Sequence, residues 1–179
     1  VLIFCNTKMW AERLELLLNH NDYVVALISG DLHQKKRISV LEDFKIGKLN
    51  ILIATDVASR GIHVDNITHV INYDVPQDPE DYVHRIGRTA RAGATGTAIT
   101  LCCENYATHL ERVEQYLKNK IPVEWAEEEL YLTAKEGAPS FERRSPIKTN
   151  SSKSTGKQNL KRSTNNSQNN SRQPSKPRR

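Results

Sequence analysis

The segment ILIATDVASRG, residues 51–61, contains an uninterrupted apolar run that ends in a polar loop with one glycine. The run is rich in β-branched side chains and lacks the alternation of polar and apolar residues that a half-exposed strand shows. Such a run is typical of a strand buried on both faces, as in a parallel sheet covered by helices. The segment therefore predicts a buried strand and a following loop in which Gly61 permits close backbone approach.

Outward from this segment, short apolar runs alternate with longer segments of helical periodicity. The other predicted strands are VLIF (1–4), VVALIS (24–29), HVINY (69–73) and TAITLCC (97–103). The predicted helices carry these apolar stripes: Trp10, Leu14, Leu17 and Leu18; Ile38, Leu41 and Phe44; Leu110, Val113 and Leu117. Strands that alternate with helices predict an α/β sandwich with a mainly parallel sheet, which we place at residues 1–133.

Two features near the end of this body are less determined. The short run LYL (130–132) either adds an edge strand or caps the core. The acidic stretch EWAEEE (124–129) is either a solvated surface or a partner-binding site. We expect Trp10 to pack in the core and Trp125 to pack at its edge.

Charge separates the chain into a body and a tail. The chain holds 26 Lys and Arg and 21 Asp and Glu, yet residues 143–179 contain 11 of the basic residues and no acidic one. Beyond Glu136 the composition turns to Ser, Asn, Lys, Arg, Gln and Pro, which cannot bury enough apolar surface to order a chain. We therefore expect 134–179 to be a disordered basic tail, which serves either to keep the protein soluble or to anchor a polyanion.

The cysteines and the apolar runs bear on compartment. Cys5, Cys102 and Cys103 form no CxxC pair, and the six histidines do not cluster with them at ligand spacing, so no metal site is predicted. A reducing compartment is expected, and no apolar run approaches the roughly 18 residues that span a membrane. We expect a cytoplasmic protein. The chain begins inside an apolar run, which favours a piece of a longer protein.

Polar and basic groups follow each predicted strand. The loops are CNTK (5–8), SGDLHQKKR (29–37), DVASRGIHVD (56–65) and VPQDPEDYVHRIGRTARAG (75–93). Because the carboxyl ends of parallel strands meet at one edge of the sheet, these loops converge there, and helix N-termini among them favour anions. In HRIGRTAR (84–91), Asp81 is placed to pair with Arg85, whereas Arg88 and Arg91 have no acidic neighbour one helical turn away. The pattern favours a polyanion site at this edge.

These segments together resemble the C-terminal, RecA-like half of a DEAD-box RNA helicase. The resemblance is carried by VLIFCNTK, GDLHQKKR, ILIATDVASRG, HVINYDVP and YVHRIGRTARAG, and covers residues 1 to about 104. It implies a three-layer α/β/α sandwich and, for the whole protein, ATP-dependent unwinding of RNA duplexes. Single-stranded or duplex RNA and an N-terminal RecA-like domain would be the partners.

The resemblance implies a role for several residues of the nucleotide site. Arg88 and Arg91 correspond to arginine fingers that reach the γ-phosphate of ATP across a cleft between two domains. An arginine finger contributes on the order of 10³–10⁵ in rate. His84 and Arg85 resemble residues that link this motif to the other domain, and Gly61 a nucleotide-contacting position. His63 stands where the family has an aspartate on the ATP ribose, so this contact is less well supported, while Ala90 in place of the usual glycine should be tolerated.

The RNA side of the resemblance rests on three motifs. They grip the sugar–phosphate backbone of a single strand, which predicts little sequence preference. No residue reports on the 2′-OH, so the choice of RNA over DNA rests on the resemblance alone. The corresponding residues are Asn6, Thr7, Gly30, Gln34, Arg37, Thr55 and Asp56.

Two further expectations concern what lies beyond this chain. The sequence contains neither GxxxxGK[ST] nor a DEAD tetrapeptide, so we expect Mg²⁺ to be held by the N-terminal domain and this chain alone to lack ATPase activity. The segment LCCENYATHLERVEQYLKNKIPVE resembles a bacterial branch of the family that acts in RNA degradation, which implies ribonuclease E of the degradosome as a partner. The alternative is a non-enzymatic RNA-binding or partner-docking module with the same fold.

Overall fold

A computed structural model of the chain describes residues 1–59, 64, 67–91, 93–139 and 141. Contacts divide the chain into two units, Val1–Glu142 and Arg143–Arg179. All the described residues belong to the first unit. The predicted tail lies outside the described residues from residue 142 onward, and the boundary at residue 133 stays a prediction.

Five parallel strands form the sheet. They are β1 (Leu2–Cys5), β2 (Val25–Ile28), β3 (Ile51–Thr55), β4 (His69–Asn72) and β5 (Thr97–Thr100). Their order in the sheet is β2-β3-β1-β4-β5, so β3, β1 and β4 are interior strands. The register pairs Cys5 with Thr55 and Phe4 with Asn72.

Helices connect the strands and cover both faces of the sheet. They are α1 (Lys8–His20), α2 (Gln34–Lys45), the short α3 (Asp56–Ser59), α4 (Pro79–Ile86) and α5 (Ala107–Leu117). The predicted α/β/α sandwich with a parallel sheet is confirmed. Alternate residues of β1 face opposite layers, because successive side chains of a strand point to opposite sides. Leu2 and Phe4 pack with α2, whereas Ile3 and Cys5 pack with α1.

The helix stripes agree with the prediction in α5, and in α1 for three of the four predicted residues, since Leu17 is not among those packed on the sheet. Trp10, Leu14 and Leu18 pack onto one face of the sheet, and Trp10 lies beside Tyr73 with ring centroids 6.4 Å apart. In α2, however, Ile38 is exposed and Val40 is the fully buried residue. Since Val40, Leu41 and Phe44 all reach the core, the inner stripe of α2 lies further round the helix than the spacing indicated.

Two predictions near the end of the body are wrong. Residues Glu128–Leu130 form a 3₁₀ turn, and Leu130, Tyr131 and Leu132 are exposed, so LYL neither extends the sheet nor caps the core. Trp125 is 90% exposed and packs at no edge. Apolar residues therefore lie on the surface of this segment, beside its glutamates.

Within the described part of the chain, no helix combines the length and apolar character needed to cross a membrane. No group of three or more His, Cys, Asp or Glu among those residues is arranged to hold a metal ion.

Candidate functional site

Three polar side chains extend the sheet register beyond the ends of neighbouring strands. Asn6 follows β1, Asp56 follows β3 and Asp74 lies two residues past β4. Continuing the register of the paired strands places these three residues in one row, on the face that Phe4 shares. The backbone N–H of Asn6 donates to Asp74 Oδ1 at 2.8 Å, which closes the row between β1 and β4.

Arg85, in the last turn of α4, lies over this row. Its Nε and Nη2 donate to the two carboxylate oxygens of Asp56, each at 2.6 Å. Nη2 also donates to Asn6 Oδ1 at 2.7 Å, and Nη1 donates to the backbone oxygen of Asp74 at 3.0 Å. The side chain is 1% exposed, and its guanidinium lies 5.4 Å from the centre of the Phe4 ring. Arg85 therefore joins the carboxyl ends of three strands.

The partners of Arg85 differ from the one that the sequence suggested. Asp81 lies one helical turn before Arg85, but the carboxylates that pair with it are those of Asp56 and Asp74. They are 29 and 11 residues away along the chain, so local spacing could not identify them. A carboxylate directly after each of two apolar runs is the signal that could have done so.

Asp74 is the buried acid of the cluster. Burial raises its pKa to about 6, although the amide of Asn6 and the charge of Arg85 act in the opposite direction. Its Oδ2 and the Oδ1 of Asn72 are both buried and have no hydrogen-bond partner among the described residues. Two carboxylates and one guanidinium leave the cluster with an excess negative charge unless Asp74 takes up a proton.

Arg88 and Arg91 follow the end of α4. They do not lie on one face of a helix, although their three-residue spacing is compatible with a helix. The helix ends at Ile86, and Arg88 Nε donates to the backbone oxygen of His84 at 3.2 Å. Arg91 Nε donates to the backbone oxygen of Gly87 at 2.7 Å. Both arginines thus bind backbone oxygens at the carboxyl end of α4, where cations are favoured. Burial and the charge of Arg91 lower the pKa of Arg88.

The turn that holds these arginines contains an unusual backbone angle. Ala90 has φ of 54°, in the left-handed region that L residues rarely adopt. A glycine would adopt this angle without strain, so the alanine carries a backbone cost beyond that of one added methyl group. His84 is exposed on the last turn of α4.

The candidate RNA-contacting residues lie along the same edge of the sheet. Thr7 caps α1, since its Oγ1 accepts from the Trp10 N–H at 3.3 Å, and Gln34 begins α2. Arg37 is half-buried and donates through Nη2 to the backbone oxygen of Ala58, while Gly30 has open space where a side chain would extend. Thr55 ends β3.

At least four of the seven predicted RNA contacts have hydrogen-bond partners inside the domain: Thr7 and Arg37, as described, and also Asn6 and Asp56. Asp56 accepts the fork of Arg85, and the Asn6 side chain accepts from Arg85 and donates through Nδ2 to the backbone oxygen of Val75 at 2.9 Å. Thr7, Gly30 and Gln34 are exposed. Gly61 and His63 lie outside the described residues, so the structure does not bear on their predicted nucleotide contacts.

Comparison with known proteins identifies the class. Residues 1–93 match the helicase conserved C-terminal domain family, which is more than half of the chain. The chain belongs to this family and is a C-terminal domain of the DEAD-box helicase type, as the resemblance in its motifs indicated.

Individual relatives narrow the similarity further. Over 138 residues the chain is 52% identical to the ATP-dependent RNA helicase RhlB of Xanthomonas axonopodis pv. citri (strain 306), an alignment that covers 77% of this chain. The chain spans only 24% of the length of that relative. It is similar to a part of RhlB rather than to the whole.

Two solved structures are similar to the fold. One is Escherichia coli DEAD-box protein SrmB bound to regulator of ribonuclease activity A, with a TM-score of 0.68 and 34% identity. That similarity covers 78% of this chain and 81% of the SrmB chain. The other is domain 2 of the DEAD-box helicase Mss116p bound to an RNA duplex, with a TM-score of 0.64, 30% identity, and coverage of 72% of this chain and 53% of that one.

Proposed function

We propose that this chain supplies one half of the active site of an ATP-dependent RNA helicase. The observation that carries the proposal is the placement of Arg88 and Arg91 side by side at the carboxyl end of α4. This position is at the sheet edge where the candidate RNA residues also lie. Family membership supports the same conclusion, because relatives such as RhlB are ATP-dependent RNA helicases.

The two arginines fit an anionic phosphate. Their charges are close enough that Arg91 lowers the pKa of Arg88, so an anion between them relieves the repulsion. A guanidinium stays charged and can fork to two oxygens, which suits a transferring phosphoryl group. When bound, ATP would supply the phosphoryl group whose hydrolysis powers the cycle, and Arg88 and Arg91 would stabilise the negative charge on the oxygens of that group.

The remaining parts of the ATP site belong to another domain in this proposal. Gly61 and His63 would contact the nucleotide, with His63 near the ribose, and His84 would face the domain that holds ATP. Mg²⁺ would be bound by that N-terminal domain. Arg85 was grouped with these contacts by resemblance, but its guanidinium is already bonded within the domain.

RNA would bind along the exposed part of the same edge. Thr7, Gly30 and Gln34 offer a hydroxyl, an open backbone and an amide, and Arg37 offers charge nearby. Groups of this kind hold a sugar–phosphate backbone without reading bases. The similarity to Mss116p domain 2, which was solved with an RNA duplex, supports this assignment. The basic residues 143–179 would add a salt-dependent anchor for RNA.

A second candidate role is docking of a partner protein. Trp125, Leu130, Tyr131 and Leu132 are exposed together with the glutamates around them, an arrangement that favours protein contact. RhlB-type similarity points to ribonuclease E and to RNA degradation in the cytoplasm. Trp125→Ala should then weaken binding of ribonuclease E, and unchanged affinity in a direct titration would remove this role from the segment.

The helicase proposal is tested by comparing the full-length gene product with this chain alone. RNA-stimulated ATPase and strand separation should appear in the full-length protein and be absent from residues 1–179 tested alone. A full-length protein from which residues 143–179 are deleted should keep its ATPase activity. Its RNA binding should be weaker and should depend less steeply on salt concentration. A full-length protein that binds RNA without ATPase would instead support a non-enzymatic binding module.

A further inference from the structure

Arg85 occupies a position that differs from those of the other arginines in its segment. Four hydrogen bonds from its guanidinium reach three loops: to Asp56 twice, to Asn6 and to the backbone of Asp74. The side chain is 1% exposed, so this arrangement does not leave it available to a ligand or to another domain. Its role must therefore be exerted through the groups it holds.

Arg85 lies between two parts of the candidate site: the RNA-facing loops after β1 and β3, and the turn that carries Arg88 and Arg91. Asn6 and Asp56 begin the loops after β1 and β3, where RNA contacts are proposed. Arg85 itself lies in the last turn of α4, next to His84 in the chain. The backbone oxygen of His84 accepts from Arg88 Nε, and that of Gly87 accepts from Arg91 Nε.

A continuous series of contacts thus connects the loop after β3 with the turn that carries Arg88 and Arg91. The carboxylate of Asp56 accepts two hydrogen bonds from the Arg85 guanidinium, which fixes the last turn of α4. The backbone oxygens of His84 and Gly87, at the end of that helix, then hold Arg88 and Arg91. Movement of the loop after β3 would be transmitted to the arginines, because a bidentate guanidinium–carboxylate pair fixes direction as well as distance.

We infer that Arg85 is a positioning residue that couples the RNA-facing loops after β1 and β3 to the turn carrying Arg88 and Arg91. The inference rests on the proposed helicase function and adds a role for a residue that would otherwise be grouped with the nucleotide contacts. RNA bound at the loops would fix the position of Asp56. Through its contact with Arg85, this would also fix the positions of Arg88 and Arg91 relative to the phosphate.

The substitution Arg85→Lys separates the effect of the positive charge from the effect of the hydrogen-bond geometry. Arg85→Lys keeps the positive charge near Asp56 and Asp74 but cannot form the fork and the contacts to Asn6 and Asp74 at once. In the full-length protein, the variant should lower kcat of RNA-stimulated ATPase by about 10- to 100-fold, since small misplacement of catalytic groups has effects of this size. The KM for ATP should stay within about threefold of wild type, because ATP does not touch Arg85. The Kd for RNA should rise, because Arg85 holds the RNA-facing side chains of Asn6 and Asp56.

Arg112→Lys is the matched control, since Arg112 is exposed on α5, and it should leave all three constants unchanged. Thermal unfolding of each variant confirms that it is folded under assay conditions. If Arg85→Lys does not fold, Asp56→Asn takes its place, because it keeps the guanidinium and weakens the fork from the other side. The same fall in kcat is expected, together with any loss in RNA affinity from Asp56 itself.

The outcomes separate this inference from the proposed function. A full-length wild type without RNA-stimulated ATPase overturns the proposed function and this coupling with it. An active wild type whose Arg85→Lys variant has normal kcat overturns the coupling alone. A raised KM for ATP with normal kcat would show that Arg85 contacts the nucleotide, which also contradicts the inference.

Discussion

Asp74 and Arg85 show how a buried residue can differ from the role that its motif suggests. Arg85 lies in a segment rich in arginine, yet it is bonded inside the domain, while Arg88 and Arg91 remain near the surface. The difference follows from the strand register, which brings Asn6, Asp56 and Asp74 into one row under α4. A buried guanidinium there is stable only because both carboxylates and an amide satisfy it.

The raised pKa of Asp74 leads to a prediction on stability. Its pKa is about 6 in the folded protein against an ordinary 3.8, so the folded state binds a proton more tightly than the unfolded state. This group therefore makes the free energy of unfolding fall as the pH rises from about 4 to 6, by about 2–3 kcal/mol in total. Asp74→Asn removes the titration and keeps an acceptor for the Asn6 amide.

Urea unfolding of wild type and Asp74→Asn at several pH values measures this effect. The stability of the variant relative to wild type should rise between pH 4 and pH 7. Asp31 is a control of opposite sign, because its exposed ion pair with Lys8 lowers its pKa, so its contribution is lost as the pH falls. A relative stability of Asp74→Asn that stays constant with pH would contradict the assignment.

At the scale of elements, α4 determines where the arginines stand. Its beginning is well specified, because Asp78 caps it through a hydrogen bond from the Glu80 N–H at 2.9 Å and Pro79 occupies its first turn. Its end is specified by Gly87, after which the chain leaves the helix. The position of Arg85 over the row depends on both ends.

Loss of the cap should destabilise the protein in proportion to the missing hydrogen bond. Asp78→Ala is expected to lower the free energy of unfolding by about 1 kcal/mol, the usual effect of removing a capping side chain. Asp78→Asn keeps an acceptor and is the matched control, with little change expected. Equal stability of the alanine and asparagine variants in urea unfolding would show that the cap contributes nothing.

The same elements show what could be predicted from sequence. The strands at 51–55 and 1–4 were predictable because interior strands of a parallel sheet are apolar throughout, and the loops after them carry polar groups. The end of α4 between Ile86 and Arg88 was not, since spacing alone cannot distinguish a helical face from a turn capped by arginine side chains. The contact between Arg85 and Asp56 depends on register across three strands. The carboxylates that directly follow two apolar runs mark the candidate partners of Arg85, but the register decides the pairing.

At the scale of the whole molecule, the proposed function makes this domain one side of a site that two domains share. Its candidate RNA residues and its arginines share one edge of the sheet, while its described residues contain no cluster suited to a metal ion. The matched relative is about three times as long as this chain, since 138 aligned residues are 24% of it, so a second domain has ample room in a protein of that length. Catalysis in this account requires closure of the two domains around ATP.

The central claim is that Arg88 and Arg91 act on a phosphate held by another domain. Steady-state ATPase of the full-length protein with saturating RNA tests it directly, with Arg88→Ala compared with the exposed control Arg112→Ala. Arg88→Ala should lower kcat by about 10³-fold or more while RNA affinity stays unchanged, and Arg112→Ala should match wild type. An Arg88→Ala protein that hydrolyses ATP at the wild-type rate would contradict the account.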